Sequence, residues 1–171
     1  DTLDIVQRRL AGSFRRDKLL NQLREAYRKA PHFAQGMALL ERCVMFDDDN
    51  LFHFLLHALT QVRDCLRIDT PLIVSSSVPS QNHQAKGQDR VLALCRTMKA
   101  ELYVNPPGGK ALYEASAFAR HGLSLKFLLP RLHPYPQFDA GFVPGLSIID
   151  ALMFNPADRV RELVLDHYDF E

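Results

Sequence analysis

The chain has almost no excess of charge: 21 basic and 20 acidic residues leave a net charge of +1. Scattered in this way, the charges give no electrostatic reason to seek nucleic acid or a membrane surface. No apolar run approaches the ~20 residues a membrane-spanning helix needs, since even "LFHFLLHAL" is broken by histidine. Asp1 and Asp4 stand where a signal peptide would carry basic residues, which gives the expectation of a cytoplasmic protein. Three cysteines, Cys43, Cys65 and Cys95, make an odd number without a CxxC pair, so neither a disulfide framework nor a zinc site is indicated. Each lies in an apolar helical window and reads as a small core residue in a reducing compartment, not as a thiol nucleophile. Internal repeats and low-complexity tracts are absent as well.

What is present is 47% apolar residues in 171, enough for a buried core in a single domain spanning 1–171. Residues 1–69 read as a helical subregion: "RRDKLLNQLREAYRKA" ends at Pro31, and "PHFAQGMALLERCVMF" follows it. Asp47 to Asn50 then offers helix caps before "LFHFLLHALTQVRDCLRI", whose apolar residues predict burial on more than one side. From Thr70 the period changes. "TPLIV", "ELYVN" and "LSLKFL" read as strands separated by the helices "KGQDRVLALCRTMKA" and "KALYEASAFARHG". That order predicts an α/β fold over 70–171, a short parallel sheet with crossover helices, followed by closing helices "LSIIDALMFN" and "PADRVRELVLDHY".

Ligands of such sheets sit beyond the carboxyl ends of the strands. "NPPGGKALY" lies at one such end, where Asn105, Gly108 and Gly109 allow close backbone approach or positive φ, and Lys110 adds a cation. The spacing matches neither GxGxxG nor GxxxxGK[ST], so a plain strand-to-helix turn is the plainer reading. Ser75 and Ser76, with Lys86 and Arg90 at a helix start, form a candidate anion site; a solvated first turn is its equal alternative. Tyr135 and Gln137 lie in the long aromatic loop "HPYPQFDAGF" and suit a base or sugar, or simple packing. This loop is expected to face "NPPGGKALY" across one pocket.

Ser147 and Asp150 have capping-box spacing, and Asn155 before Pro156 reads as a further N-cap. Asp150 turned into a pocket is a candidate base for an amine. His57 is the second candidate base. His53 and His57 stand at i and i+4, yet two ligands are too few for zinc. With Gln61 and Asp64 they form a polar stripe expected to line a cavity.

The segments "SSSVPSQNHQAKGQDRVLALCRTMKAELYVNPPGGKALY", "GLSLKFL" and "YPQFDAGFVPGLSIIDALMFN" together resemble the WbqC-like protein family, over roughly residues 19–168. The family's proline- and aromatic-rich opening segment has no counterpart here. The resemblance implies an acyl or aminoacyl transferase, with glycine as one such group, acting on an amino sugar in surface-polysaccharide (O-antigen) synthesis. The partner implied is a small molecule, a nucleotide sugar. Oxyanion donors would be the Ser75–Ser77 loop and the Gly108–Gly109 backbone. Two other classes stay open: a nucleotidyl-transfer or adenylating enzyme, which generally requires Mg²⁺ and a carboxylate, and a non-catalytic binding protein. The sequence identifies no cofactor.

Overall fold

The computed structural model describes residues 3–79, 85–138 and 141–171. Along the chain lie α1 (Arg16–Tyr27), α2 (Phe33–Val44), α3 (Leu51–Cys65), α4 (Gly87–Thr97), β1 (Leu102–Asn105), α5 (Ala115–Ala119), β2 (Ser124–Pro130), α6 (Ile148–Phe154), α7 (Ala157–Asp166) and β3 (Tyr168–Phe170). Short 3-10 turns occur at Ile5–Gln7, Ser75–Ser77 and Pro107–Leu112. The fold is α/β, and the chain forms two compact units, Asp1–Thr70 with Leu132–Asp166, and Pro71–Arg131 with His167–Glu171.

The first unit is helical, and α6 is its centre. Met153 and Phe154 pack with Leu20, Met37, Leu40 and Val44, while Leu152 joins Leu39, Cys43, Leu66 and Val160. A "LSIIDALMFN" helix apolar on nearly every side can only be buried on several sides. Gly36 of α2 lets α6 approach: a Cβ there would stand 2.5 Å from Met153 Sδ. Asn50 caps α3 as its position suggests, accepting from the amides of Phe52 (3.0 Å) and His53 (3.2 Å). Burial of α3 is less complete than its composition predicts. Leu55 and Leu59 are 47% and 54% exposed, because apolar content alone does not say how many neighbours a helix has.

In the second unit β1 pairs in parallel with β2, Tyr103 opposite Leu125. Residues of α4 and α5, Leu92, Cys95, Ala117 and Phe118, cover that face together with Leu123. Two strand expectations are corrected. "TPLIV" is not a strand: Pro71 offers no N–H, Val74 leads into the 3-10 turn, and Leu72 and Ile73 are exposed. The third strand lies at the other end of the chain, where α7 stops at Asp166 and β3 pairs antiparallel with β2, Leu129 opposite Asp169. Arg131 fixes this pairing through a two-pronged ion pair with Asp169, at 2.6 and 2.8 Å. The three cysteines are free, Cys43 and Cys95 buried and Cys65 half-buried. Burial pushes the Cys43 and Cys95 thiols up, which keeps them protonated. No helix among the described residues is long and apolar enough to cross a membrane.

Candidate functional site

Four residues from three parts of the first unit meet at one carboxylate. Ser147 starts α6, its Oγ accepting from the Ile149 amide at 3.3 Å. The capping box stops there. Asp150, in the first turn of α6, turns its side chain inward and is only 4% exposed. Its Oδ2 accepts from the Tyr27 hydroxyl at 2.9 Å. Its Oδ1 accepts from the Tyr135 hydroxyl at 2.7 Å and from Gln137 Nε2 at 2.8 Å.

Each donor is placed by its own element. Tyr27 ends α1 on the face that carries Leu20 and Leu23 into the core. Tyr135 stands beside Phe142 (5.2 Å between ring centroids) and Phe154 (6.5 Å). Gln137 is held from both ends, since its Oε1 accepts from the Val143 amide at 2.7 Å while its Nε2 reaches the Val143 carbonyl at 3.3 Å. Asp139 and Ala140 of this loop lie outside the described residues. The donors are two phenols and an amide, all neutral, so the carboxylate is satisfied by hydrogen bonds in an aromatic setting. Burial, and then the bond to Asp150, push both phenols up to about 12. Three of about four acceptor positions on the carboxylate are used. Chemically this is a proton-accepting oxygen pair linked to its surroundings through hydroxyls that can both receive and pass on a proton.

The remaining candidates have more local surroundings. His57 Nε2 lies 3.0 Å from the Arg42 carbonyl, and its ring stacks on Phe46 at 4.1 Å. A carbonyl only accepts, so Nε2 carries the hydrogen of this bond. The other members of the polar stripe of α3 have local partners: His53 Nδ1 pairs with Asp48 Oδ2 at 2.8 Å, Gln61 Oε1 accepts from Arg42 Nε at 3.0 Å, and Asp64 takes Arg63. Among the described residues no three metal-ligating side chains converge. Asn155 is not the N-cap of α7. It closes α6 by donating Nδ2 to the Ala151 carbonyl, and Gln35 Oε1 accepts from the Ala157 amide at 3.3 Å instead.

In the second unit, Ser77 Oγ donates to the Val74 carbonyl at 2.8 Å, with Ser75 and Ser76 exposed beside it. Lys86 occupies the N-cap position of α4 and, like Arg90, is exposed. Part of the intervening loop, residues 80–84, lies outside the described residues. Neither Gly108 nor Gly109 has a positive φ, so that reason for the glycine pair is withdrawn. Gly109 instead leaves room for Asn105, whose Nδ2 lies 2.5 Å from where a Cβ would stand. Lys110 is paired with Glu171 Oε2 at 2.5 Å and lies over the Phe127 ring. Gly108 and Gly109 thus belong to one unit, and Tyr135 and Gln137 to the other.

Sequence reasoning singled out Asp150, Tyr135 and Gln137 separately, and the structure joins them. It missed Tyr27. The available signal was a phenol at i+7 from Leu20 on the apolar face of α1, where a hydroxyl requires a partner.

The model of the WbqC-like protein family matches residues 2–162, nearly the whole chain. No curated protein and no solved structure matches it.

Proposed function

The chain belongs to the WbqC-like protein family, and from that premise we propose that it transfers a small acyl or aminoacyl group, glycyl being one candidate, to the amine of a nucleotide-linked amino sugar for surface polysaccharide in the cytoplasm. The observation that carries this reading is the buried Asp150 carboxylate under the Tyr135 hydroxyl. Amide formation needs an amine that loses a proton as it attacks. In the proposed step the amine nitrogen bonds to the acyl carbon of an activated donor, and the donor's leaving group departs with the electron pair of the broken bond. The nitrogen's proton passes to Tyr135 as the Tyr135 proton passes to Asp150. A phenol with a pKa near 12 remains neutral at working pH and serves as a relay.

Tyr27 and Gln137 hold the carboxylate in place for this transfer. The test is direct. UDP-linked amino sugars are incubated with acyl and aminoacyl thioesters and adenylates, and the mass of the sugar is followed by mass spectrometry. A mass gain equal to the acyl group supports the proposal, and an unchanged sugar with every donor overturns it.

A further inference from the structure

The carboxyl end of β1 gathers neutral hydrogen-bonding groups within the second unit. Asn105 closes the strand, and Gly109, in the 3-10 turn that follows, lies against both Asn105 and Tyr113: the point where a Gly109 Cβ would stand is 2.5 Å from Asn105 Nδ2 and 3.4 Å from Tyr113 Cε2. The Tyr103 hydroxyl, also from β1, donates to the Tyr113 hydroxyl at 3.3 Å. Gln88 of α4 is tied to the next residue along, its Oε1 accepting from the Glu114 amide at 2.6 Å. Asn105, Tyr113 and Gln88 are all half-buried.

Their hydrogen-bond accounting has a pattern. Gln88 commits its oxygen to Glu114 and keeps its Nε2 hydrogens, while Tyr113 accepts from Tyr103 and keeps its own. Among the described residues the Asn105 carboxamide has no partner, so it presents a donor and an acceptor side by side. The cluster therefore offers one acceptor, Asn105 Oδ1, among three donors. None of these groups is charged. Lys110, the cation of the turn, is held by Glu171 and the Phe127 ring, and the Glu114 carboxylate follows Tyr113, which disfavours a phosphate here. The complement is a flat neutral edge reading acceptor, donor, acceptor. A pyrimidine-2,4-dione has that edge in its C=O, N3–H and C=O, whereas cytosine and adenine put an amine donor there. We propose that this cluster binds the uracil or thymine base of a nucleotide, which rests on the nucleotide-sugar reading above and gives that nucleotide its base. Asn105 Oδ1 accepts from N3–H and its Nδ2 donates to one flanking carbonyl. Tyr113 and Gln88 donate to the other.

Isothermal titration calorimetry of the 171-residue chain with uridine, thymidine, cytidine and adenosine, with no acyl donor present, tests this apart from transfer. Uridine or thymidine is expected to bind ~10-fold or more tightly than the two amine-bearing nucleosides, because a site built of donors leaves some of them unpaired against an amine. Asn105→Asp keeps the shape and replaces a donor by an acceptor. It should weaken dione binding ~10-fold or more at unchanged circular dichroism. Should that variant misfold, Tyr113→Phe, which removes only the hydroxyl, should weaken the same binding ~5-fold. No binding of either dione up to about 10 mM, equal binding of cytidine, or wild-type affinity in the folded variants overturns the proposal. Transfer to a sugar carried on another base would leave the proposed reaction standing and remove this site, and selective uridine binding without any transfer would do the reverse.

Discussion

The Tyr27 hydroxyl donates to Asp150 Oδ2 at 2.9 Å across 123 positions of sequence, tying the end of α1 to the start of α6. Tyr135 and Gln137 tie the intervening loop to the same carboxylate. One buried side chain therefore fixes three segments of the helical unit, and removing it leaves three donors without their acceptor.

Asp150→Ala is expected to destabilise the protein by about 2–4 kcal/mol, because it strands two hydroxyls and an amide. Tyr27→Phe removes one bond and should cost less, about 1–2 kcal/mol. Urea denaturation followed by circular dichroism measures both. An Asp150→Ala variant as stable as the wild type would show that the hub holds nothing together.

Alkaline pH reaches the same bonds from the other side. Tyr27 and Tyr135 are raised to about 12 in the fold from an ordinary value near 10. The folded state holds the phenolic proton more tightly, so this stabilisation is complete below pH 10 and is lost as pH rises from 10 through 12. Burial and a bond to Tyr113 raise Tyr103 as well. Of five tyrosines, three should thus ionise late in an absorbance titration at ~295 nm. Tyr135→Phe should remove one late ionisation, and five titrations near pH 10 would contradict the placement of these phenols.

Gly109 and Asn105 should be coupled. Gly109→Ala pushes a methyl against the Asn105 amide, the far end of a side chain that must turn aside, for an expected cost of about 1 kcal/mol. In an Asn105→Ala background the same change should be nearly free, since the obstructing atoms are gone. Additive effects in thermal unfolding would mean that the glycine serves some other purpose.

What the sequence made legible followed from local pattern. Pro31 and Asn50 punctuate α1 to α3 where their chemistry says they should, and the 3.6-residue periods of α4, α6 and α7 are unmistakable. The failures were failures of pairing. "TPLIV" has the composition of a strand but finds no partner, whereas Tyr168–Phe170 is too short to stand out and becomes a strand because β2 and Arg131 receive it. At the site, Ser147 and Asp150 carry capping-box spacing, and spacing cannot say that a buried aspartate has better partners than the helix start. Those partners, at positions 27, 135 and 137, are brought together only by the packing of α1 on α6.

The central claim is that Asp150 receives a proton during amide formation, and Asp150→Asn tests it most directly because the shape is kept and the basic oxygen is lost. The rate of acyl transfer to a UDP-linked amino sugar should fall ~100-fold or more in a variant whose circular dichroism matches the wild type. Transfer by folded Asp150→Asn at the wild-type rate would contradict it.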